Sequence, residues 1–357
     1  MSTQTEAILN RICTSAAEQK VSEVYLLSGQ APFVRINGKV QNLPGENILP
    51  ASFVQDVANI LLTPEQQKEL EQKRQILIAK EIGKLGPAQV NIYYQKNLLA
   101  IYLELLSQEL IDLENLNLPK MVTEFTNLPQ GIIFVVGPRD SGRATLMTAM
   151  VNYINKTQVK FIATIEKPIK YNLISVKSMV EQREVGRDVL NFVDGLSYIR
   201  TRNADVVMVS EVPNAAVMNE IFTIAETGSL VFVALETDSS IKALRRVFHF
   251  FPVSEEADVR FSLSDNLGGV ICTRLVPMLG GGRVRALEIL SATPAVRSVI
   301  AKGNYSQLIS VLRASETGKA VSLDHYLADL VTSRKITEEE ASKHCLDREF
   351  FRSLLYK

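Results

Sequence analysis

The sequence predicts an α/β protein: a three-layer domain with a parallel sheet covered on both faces, preceded by a smaller α+β unit and followed by helices. Three observations carry this. From Gly131 onward, unbroken runs rich in Val, Ile and Phe alternate with helix-length segments, as a parallel sheet buried on both faces requires. Before residue 110, shorter β-forming runs carry a hairpin signal. A chain of 357 residues also exceeds what one compact core usually holds.

The elements follow in order. Ile8, Leu9 and Ile12 lie on one face of a short N-terminal helix, and no charged start with an apolar run marks a secretory signal. "SEVYLLSG" and "PFVRINGKVQNL" are strands, with Asn37-Gly38 as the two-residue hairpin turn. "SFVQDVANILLTPEQQKELEQ" holds two helices: Thr63 caps the second, Pro64 takes its first turn and Gln66 completes a capping box. "AQVNIYYQ" and "LAIYLELLS" close the unit near residue 110, and "LENLNLPKMVTEFTNLPQG" is the connector. Then "GIIFVVG", "VKFIATIE", "ADVVMVSE" and "LVFVALET" are buried strands separated by helices at "RATLMTAMVNYINK", "NFVDGLSYIRTR" and "NAAVMNEIFTIAETG". "GGGRV" reads as a turn between late strands. Beyond Thr293 the chain is mostly helical, with a capping box at Thr337 and Glu340.

Composition narrows the function classes. Hydrophobic residues at 46% and charged residues at 22% fit an ordinary folded chain. Lys and Arg number 39 and Asp and Glu 39, so no broad basic field argues for nucleic acid as the partner. Cys13, Cys272 and Cys345 are widely spaced and odd in number, which suits the reducing cytoplasm. His249, His325 and His344 are equally scattered, so no metal site is expected. Nowhere do about eighteen apolar residues run together, so any membrane contact is expected through a partner or a surface face.

One stretch carries chemistry. "FVVGPRDSGRATLMTAM" sets Gly137 and Gly142 directly after an apolar strand and before a helix, the context in which a GxxxxGK[ST] phosphate loop has meaning. Such a loop converges backbone N–H groups and a helix N-terminus on phosphate oxygens. A lysine then reaches the outer phosphates and a hydroxyl holds magnesium. Here Arg143 takes the lysine position and Ala144 the hydroxyl position, while Asp140, beside Ser141, puts a carboxylate into a nest for anions. Arginine keeps the charge as a larger planar fork. Alanine cannot ligate magnesium, and Thr145 lies one step further round the helix, its hydroxyl pointing elsewhere. Asp140 repels a polyphosphate by on the order of 1 kcal/mol or more if it is partly shielded from water. The loop reads as a relic or a binding-only cradle.

These residues, with "VRINGKV", "TIEKPIKY", "EQREVGRD", "AETGSLVF", "GGGRVRALEIL" and "TPAVRSVI", resemble the type IV pilus retraction and type II secretion ATPase family over nearly the whole chain, most of all its retraction-motor (PilT and PilU) branch. The resemblance implies an N-terminal PAS-like α+β domain at 1–110, a linker at 111–130, a RecA-like P-loop domain at 131–292 and a C-terminal helical region at 293–357. It also implies hexameric rings on the cytoplasmic side of the inner membrane, with ATP and Mg2+ as the ligands. Carried over by position, the catalytic pattern is thinned. Glu166 matches the acidic box, but Lys167 and Lys170 replace its next carboxylates. Glu211 matches the catalytic-base glutamate, with Ser210, Pro213 and Asn214 in place of the usual Gly, Arg and Asp. Ser229 and Glu236 stand where the family has histidines, and Pro87 and Gln89 lie where it presents arginines.

Loss of these electrostatic contributors together implies a pseudo-ATPase with no intact catalytic residue and no cofactor. Glu166 and Glu211 are then inherited carboxylates, paired with Lys167 or Arg143. The expected role is assembly or regulation in a homo- or hetero-oligomer, with an active PilT-type ATPase or the pilus or secretion platform protein as partner and the membrane met only indirectly. Ala295, Val296 and Arg297 resemble a segment tied to retraction and are candidate partner contacts; alternatively, Val296, Val299 and Ile300 pack the tail helix. Phe248, Phe250 and Phe251 read as core rather than as a stacking platform for bases. Two other readings stay open: a regulator holding an uncleaved nucleotide, such as a cyclic dinucleotide, on Arg143, Lys167 and Lys170; and a slow but genuine ATPase.

Overall fold

The computed structural model describes residues 2–19, 21–36, 38–105, 110–314 and 320–356, and the chain divides into two compact units, Met1–Glu109 and Leu110–Lys357. The first contains α1 (Ser2–Glu18), β1 (Glu23–Leu27), β2 (Phe33–Ile36), β3 (Lys39–Asn42), α2 (Ala51–Leu61), α3 (Pro64–Lys73), β4 (Gln75–Glu81), β5 (Pro87–Gln95) and β6 (Leu98–Leu105). Its strands form one antiparallel sheet in the order β3-β2-β1-β6-β5-β4. Ile12 and Ala16 of α1 and Val54 and Val57 of α2 share a core with Val24, Leu26, Val90, Ile92 and Ile101 of the sheet.

The capping box of α3 is complete: the Gln66 N–H donates to Thr63 Oγ1 at 3.3 Å and the Thr63 N–H donates to Gln66 Oε1 at 3.0 Å. The β2–β3 hairpin pairs Ile36 with Lys39; Asn37, the expected first turn residue, lies outside the described residues. β4 is not legible in the sequence, because an edge strand that exposes most of its residues lacks the alternation of a half-buried one.

The second unit contains α4 (Lys120–Phe125), β7 (Gly131–Val136), α5 (Arg143–Thr157), β8 (Phe161–Glu166), β9 (Met179–Glu184), α6 (Phe192–Thr201), β10 (Val206–Val209), α7 (Ala215–Glu226), β11 (Leu230–Leu235), α8 (Ser240–Phe248), α9 (Glu256–Asn266), β12 (Leu267–Pro277), β13 (Arg283–Ser291), α10 (Pro294–Ala301), α11 (Ser306–Arg313), β14 (Ala320–Val321), α12 (Leu323–Thr332), α13 (Glu338–His344) and α14 (Arg348–Leu355). Its strand order is β14-β13-β12-β7-β11-β10-β8-β9. The strands from β12 to β9 in that order pair in parallel, whereas β12, β13 and β14 pair antiparallel. The expected parallel sheet is thus a mixed one. Its extra strands arise because β12 returns through a tight turn in which Gly280, Gly281 and Gly282 all have positive φ.

Both faces are covered. Along β7, Ile132, Phe134 and Val136 enter the core shared with α6 to α11, while Ile133 and Val135 enter the core shared with α4 and α5. The segment expected as a linker belongs to the second unit: Leu113, Met121, Val122 and Phe125 are buried in that α4–α5 core. The helical region is likewise packed, with Leu323, Leu327, Ala341 and Phe351 in one core with Val276 of β12 and Ala286 of β13. Phe251 is buried, and Phe248 and Phe250 pack against the same core. At Thr337 half of the expected capping box forms: the Glu340 N–H donates to Thr337 Oγ1 at 3.1 Å, but the Glu340 carboxylate turns to Lys343 at 3.0 Å.

Replacing Thr63 with Ala removes the Thr63–Gln66 side-chain bond at the α3 N-terminus, and a loss of about 1 kcal/mol is expected for the first unit. Chemical denaturation of the full chain, followed by far-ultraviolet circular dichroism, measures it; an unchanged midpoint contradicts the role given to the cap.

Candidate functional site

Loop 137–142 leaves the C-terminal end of β7 and enters α5, at the edge where ligands of open α/β sheets bind. Its surroundings follow from the strand ladder. β11 pairs with β7 as far as Leu235 and Val136, so Glu236 emerges beside the loop, and its carboxylate lies 3.7 Å from the Arg143 guanidinium. Burial pulls Arg143 below the usual arginine value, with Glu236 pulling it back up. On the other side β12 pairs Cys272 with Val136, which sets Thr273 beside Gly137.

From there a chain of donors supports the loop. Thr273 Oγ1 donates to the Ser141 carbonyl at 3.2 Å, and Arg285 Nη1, from β13, donates to Thr273 Oγ1 at 2.6 Å and to the Gly142 carbonyl at 3.1 Å. Burial holds Arg285 down at about 10. Arg283 Nη1 donates to Asp140 Oδ2 at 2.8 Å. Asp140 itself sits at φ +57°, a left-handed conformation that a short polar side chain tolerates. Gly142 is at φ +80°, a conformation that calls for glycine, and the Arg285 guanidinium packs against it, its Nη2 2.8 Å from where a Cβ would lie.

Magnesium needs oxygen donors after the loop. Ala144 has none, and Thr145 Oγ1 shares a hydrogen bond of 2.7 Å with the Tyr171 hydroxyl. The residues following Arg143 therefore do not fit the magnesium-holding role, and among the described residues no three His, Cys, Asp or Glu side chains cluster as a metal site.

Tyr171 ties the loop helix to the acidic strand. Gln182 Nε2 donates to the Tyr171 carbonyl at 3.1 Å and to Glu166 Oε1 at 2.9 Å, and Thr164 Oγ1 donates to the same oxygen at 2.8 Å. Thr164 and Glu166 are two apart on β8, and Gln182 is Thr164's partner on β9, so the three share one face. Glu166 is 4% exposed, and burial pushes its carboxyl up to about 7 against those hydrogen bonds, with Glu184 adding to the rise.

The pairing expected for the two carboxylates is corrected by this geometry. Amide and hydroxyl donors take Glu166, Glu236 takes Arg143, and Glu211 is exposed just beyond β10 with no ion-pair partner among the described residues. The Lys167 N–H donates to Ser210 Oγ at 2.9 Å, joining the ends of β8 and β10, while its side chain is exposed and that of Lys170 is half-buried. Asn214 caps α7, accepting from the Val217 N–H at 3.1 Å.

Other residues lie elsewhere. Ser229 precedes β11, at the opposite end of a strand six residues, roughly 20 Å, long, and donates to the Ala204 carbonyl at 2.7 Å. It does not share a site with the loop. On α10, Ala295 is exposed, but Val296 is fully buried in the sheet core, and Arg297 donates to the carbonyls of Ala292, Ser264 and Asp265, closing the end of α9. Of that trio, Val296 is closed to a partner, Ala295 is exposed, and Arg297 is half-buried with its Nε and Nη1 bonded within the chain. Pro87 and Gln89 lie on β5 of the first unit, opposite Glu81 and Ala79. Sequence reasoning missed Tyr171, Gln182, Thr273, Arg283 and Arg285; the alternation Arg283-Val284-Arg285 was a signal that two guanidiniums share one strand face.

Because Glu166 titrates higher folded than its ordinary value near 4.5, its contribution is fully present below that value and is lost as pH rises through about 7. The full effect is up to roughly 3 kcal/mol. The Tm advantage of wild type over Glu166→Gln should shrink from roughly pH 5 to pH 8; a gap independent of pH contradicts the burial account.

Comparison with known proteins places this geometry. Residues 103–340 match the model of the family described as "Type II/IV secretion system protein". The chain is similar to the "Type IV pilus retractation ATPase PilT" of Pseudomonas aeruginosa, 32% identical over 93% of this chain and 96% of that one. It is 29% identical to the "Type IV pilus ATPase PilU" of the same organism, over 92% of this chain and 86% of that one. Among solved structures, that of the pilus retraction motor PilT with bound ADP superposes with a TM-score of 0.84 at 32% identity, covering 95% of this chain and 97% of that one.

Proposed function

This chain belongs to the PilT- and PilU-like type II/IV secretion ATPase family, and from that premise we propose that it works by assembly, as a hydrolytically silent partner of an active retraction-type motor. The observation that carries the reading is the state of the loop. Arg143, at the lysine position, is drawn to Glu236, and the Thr145 hydroxyl, next after the magnesium position, is bonded to Tyr171. Phosphoryl transfer depends on charge stabilisation arranged in advance around the outer phosphates and the metal, and these side chains are arranged around one another instead.

The folded frame supports a binding role. Both faces of the second unit's sheet are covered by apolar cores, so the surfaces a partner would recognise are held in place although the catalytic set is altered. Among the described residues no helix is long and apolar enough to cross a membrane, which fits contact with a membrane machine through a protein partner.

A second reading, a slow ATPase, is favoured by the two carboxylates kept at the strand ends beside the loop, Glu166 closing β8 and Glu211 just beyond β10. The two readings separate on purified protein. The first expects ATP turnover far below the ~10 s⁻¹ of a typical enzyme, together with a mixed oligomer when the chain is combined with a purified PilT-type motor and weighed by analytical ultracentrifugation. Turnover at a motor's rate that disappears in Arg143→Ala overturns it, as does the absence of any mixed species. Slow turnover lost in Glu211→Gln establishes the second.

A further inference from the structure

We propose that the corner where α8 and α9 meet residues 302–305, between α10 and α11, receives an acidic side chain of a partner protein: Arg245 and Arg260 clasp its carboxylate, and the Tyr305 hydroxyl donates to it. This rests on the reading that the chain works by assembly, and it names the chemistry of one contact in that assembly.

Tyr305, directly before α11, is 9% exposed, and its hydroxyl has no hydrogen-bond partner. A buried donor left unpaired is destabilising, so the corner calls for an acceptor from outside the chain. The Tyr305 ring packs against Phe248 of α8, with 5.7 Å between centroids, and Arg245, also of α8, lies over it at 5.9 Å. Arg245 is exposed, and among the described residues no carboxylate pairs with it. From α9, Arg260 reaches to Gly303, at φ +70°, where its Nη1 stands 2.6 Å from the place a Cβ would take. The same nitrogen donates to Glu256 Oε1, one turn earlier on α9, at 3.1 Å. Burial pushes the Tyr305 phenol up to about 12, and the charged groups acting on it are Arg260, Glu256 and Arg245.

The balance of those charges selects the ligand. Two guanidiniums stand against one carboxylate, leaving a single positive charge, the complement of one aspartate or glutamate side chain rather than of a phosphate dianion. Glu256 is the chain's own example of the contact, a carboxylate already held by Arg260. On docking, the partner's acid takes Arg260 from Glu256, and the shift of that long side chain off Gly303 admits it to the hydroxyl. Tyr and Arg are side chains on which protein–protein contacts concentrate their energy, and Val253, 86% exposed in the turn leading into α9, adds apolar surface. The acidic first turn of α9, with Glu256 and Asp258, opposes the dense phosphates of a membrane surface or a nucleic acid.

Nuclear magnetic resonance of the full chain with labelled tyrosine tests the site. The probes are acetyl-glutamate amide, acetyl-glutamine amide as the neutral control, and inorganic phosphate. The Tyr305 signal, assigned by its loss in Tyr305→Phe, should shift with the glutamate probe and stay still with the glutamine one; Arg245→Gln should weaken the response roughly tenfold. Because the hydroxyl is unpaired in the free chain, Tyr305→Phe should melt at or above the wild-type Tm. A Tyr305 signal unmoved by the glutamate probe, equal shifts with both amides, a stronger response to phosphate, or a Tyr305→Phe variant melting well below wild type overturns the proposal. In the mixed oligomer with a purified PilT-type motor, Arg245→Glu should weaken association about tenfold, and association unchanged in both Arg245→Glu and Tyr305→Phe also overturns it. Absence of any mixed oligomer strikes the silent-partner reading instead, and the tyrosine titration then decides the site by itself.

Discussion

The ladder around β7 is the constraint on which the site depends. β7 is hydrogen-bonded to β11 on one side and β12 on the other, and each pairing fixes which residue stands level with the phosphate loop. One register delivers Glu236 to Arg143, and the other delivers Thr273 to Ser141 and, through β13, two arginines to the loop. A slip of one residue in either ladder would turn those side chains to the opposite face. The apolar cores on both faces hold the registers, since Ile132, Phe134 and Val136 cannot exchange places with Ile133 and Val135 without unpacking both layers.

Charge at this edge is rearranged rather than removed. Asp140 and Arg283, Arg143 and Glu236, and Thr145 and Tyr171 are each satisfied within the chain. The Tyr171–Gln182–Glu166 connection extends this set of contacts to β8 and β9. Arg285 remains the exception, a buried cation whose charge is uncompensated within ion-pairing distance among the described residues.

Much of this was legible in the sequence. The strand runs at Gly131, Val206 and Leu230 announce themselves because a strand covered on both faces must be apolar throughout. The loop's position between strand and helix followed from the same signals. β4 and β9 were less visible because edge strands are exposed and carry polar residues. Ser229 stands where the resembled family has a histidine, but it lies at the far end of β11 from the loop, a separation that its position along the chain does not disclose. Val296 and Arg297 are drawn into the chain's own packing, which a surface motif in one dimension cannot disclose.

By itself the sequence determined the alternation of strands and helices, the glycine frame of the loop and the identities of Arg143, Ala144 and Thr145 after it. These are local properties, set by side-chain chemistry and spacing along one chain. Tertiary structure alone decided what each of these side chains faces: that Asp140 meets Arg283, that Thr145 meets Tyr171 and that Arg285 lies beneath Gly142. Those meetings join residues up to 143 positions apart, and their distances are fixed by strand register and core packing, which belong to the sheet as a whole.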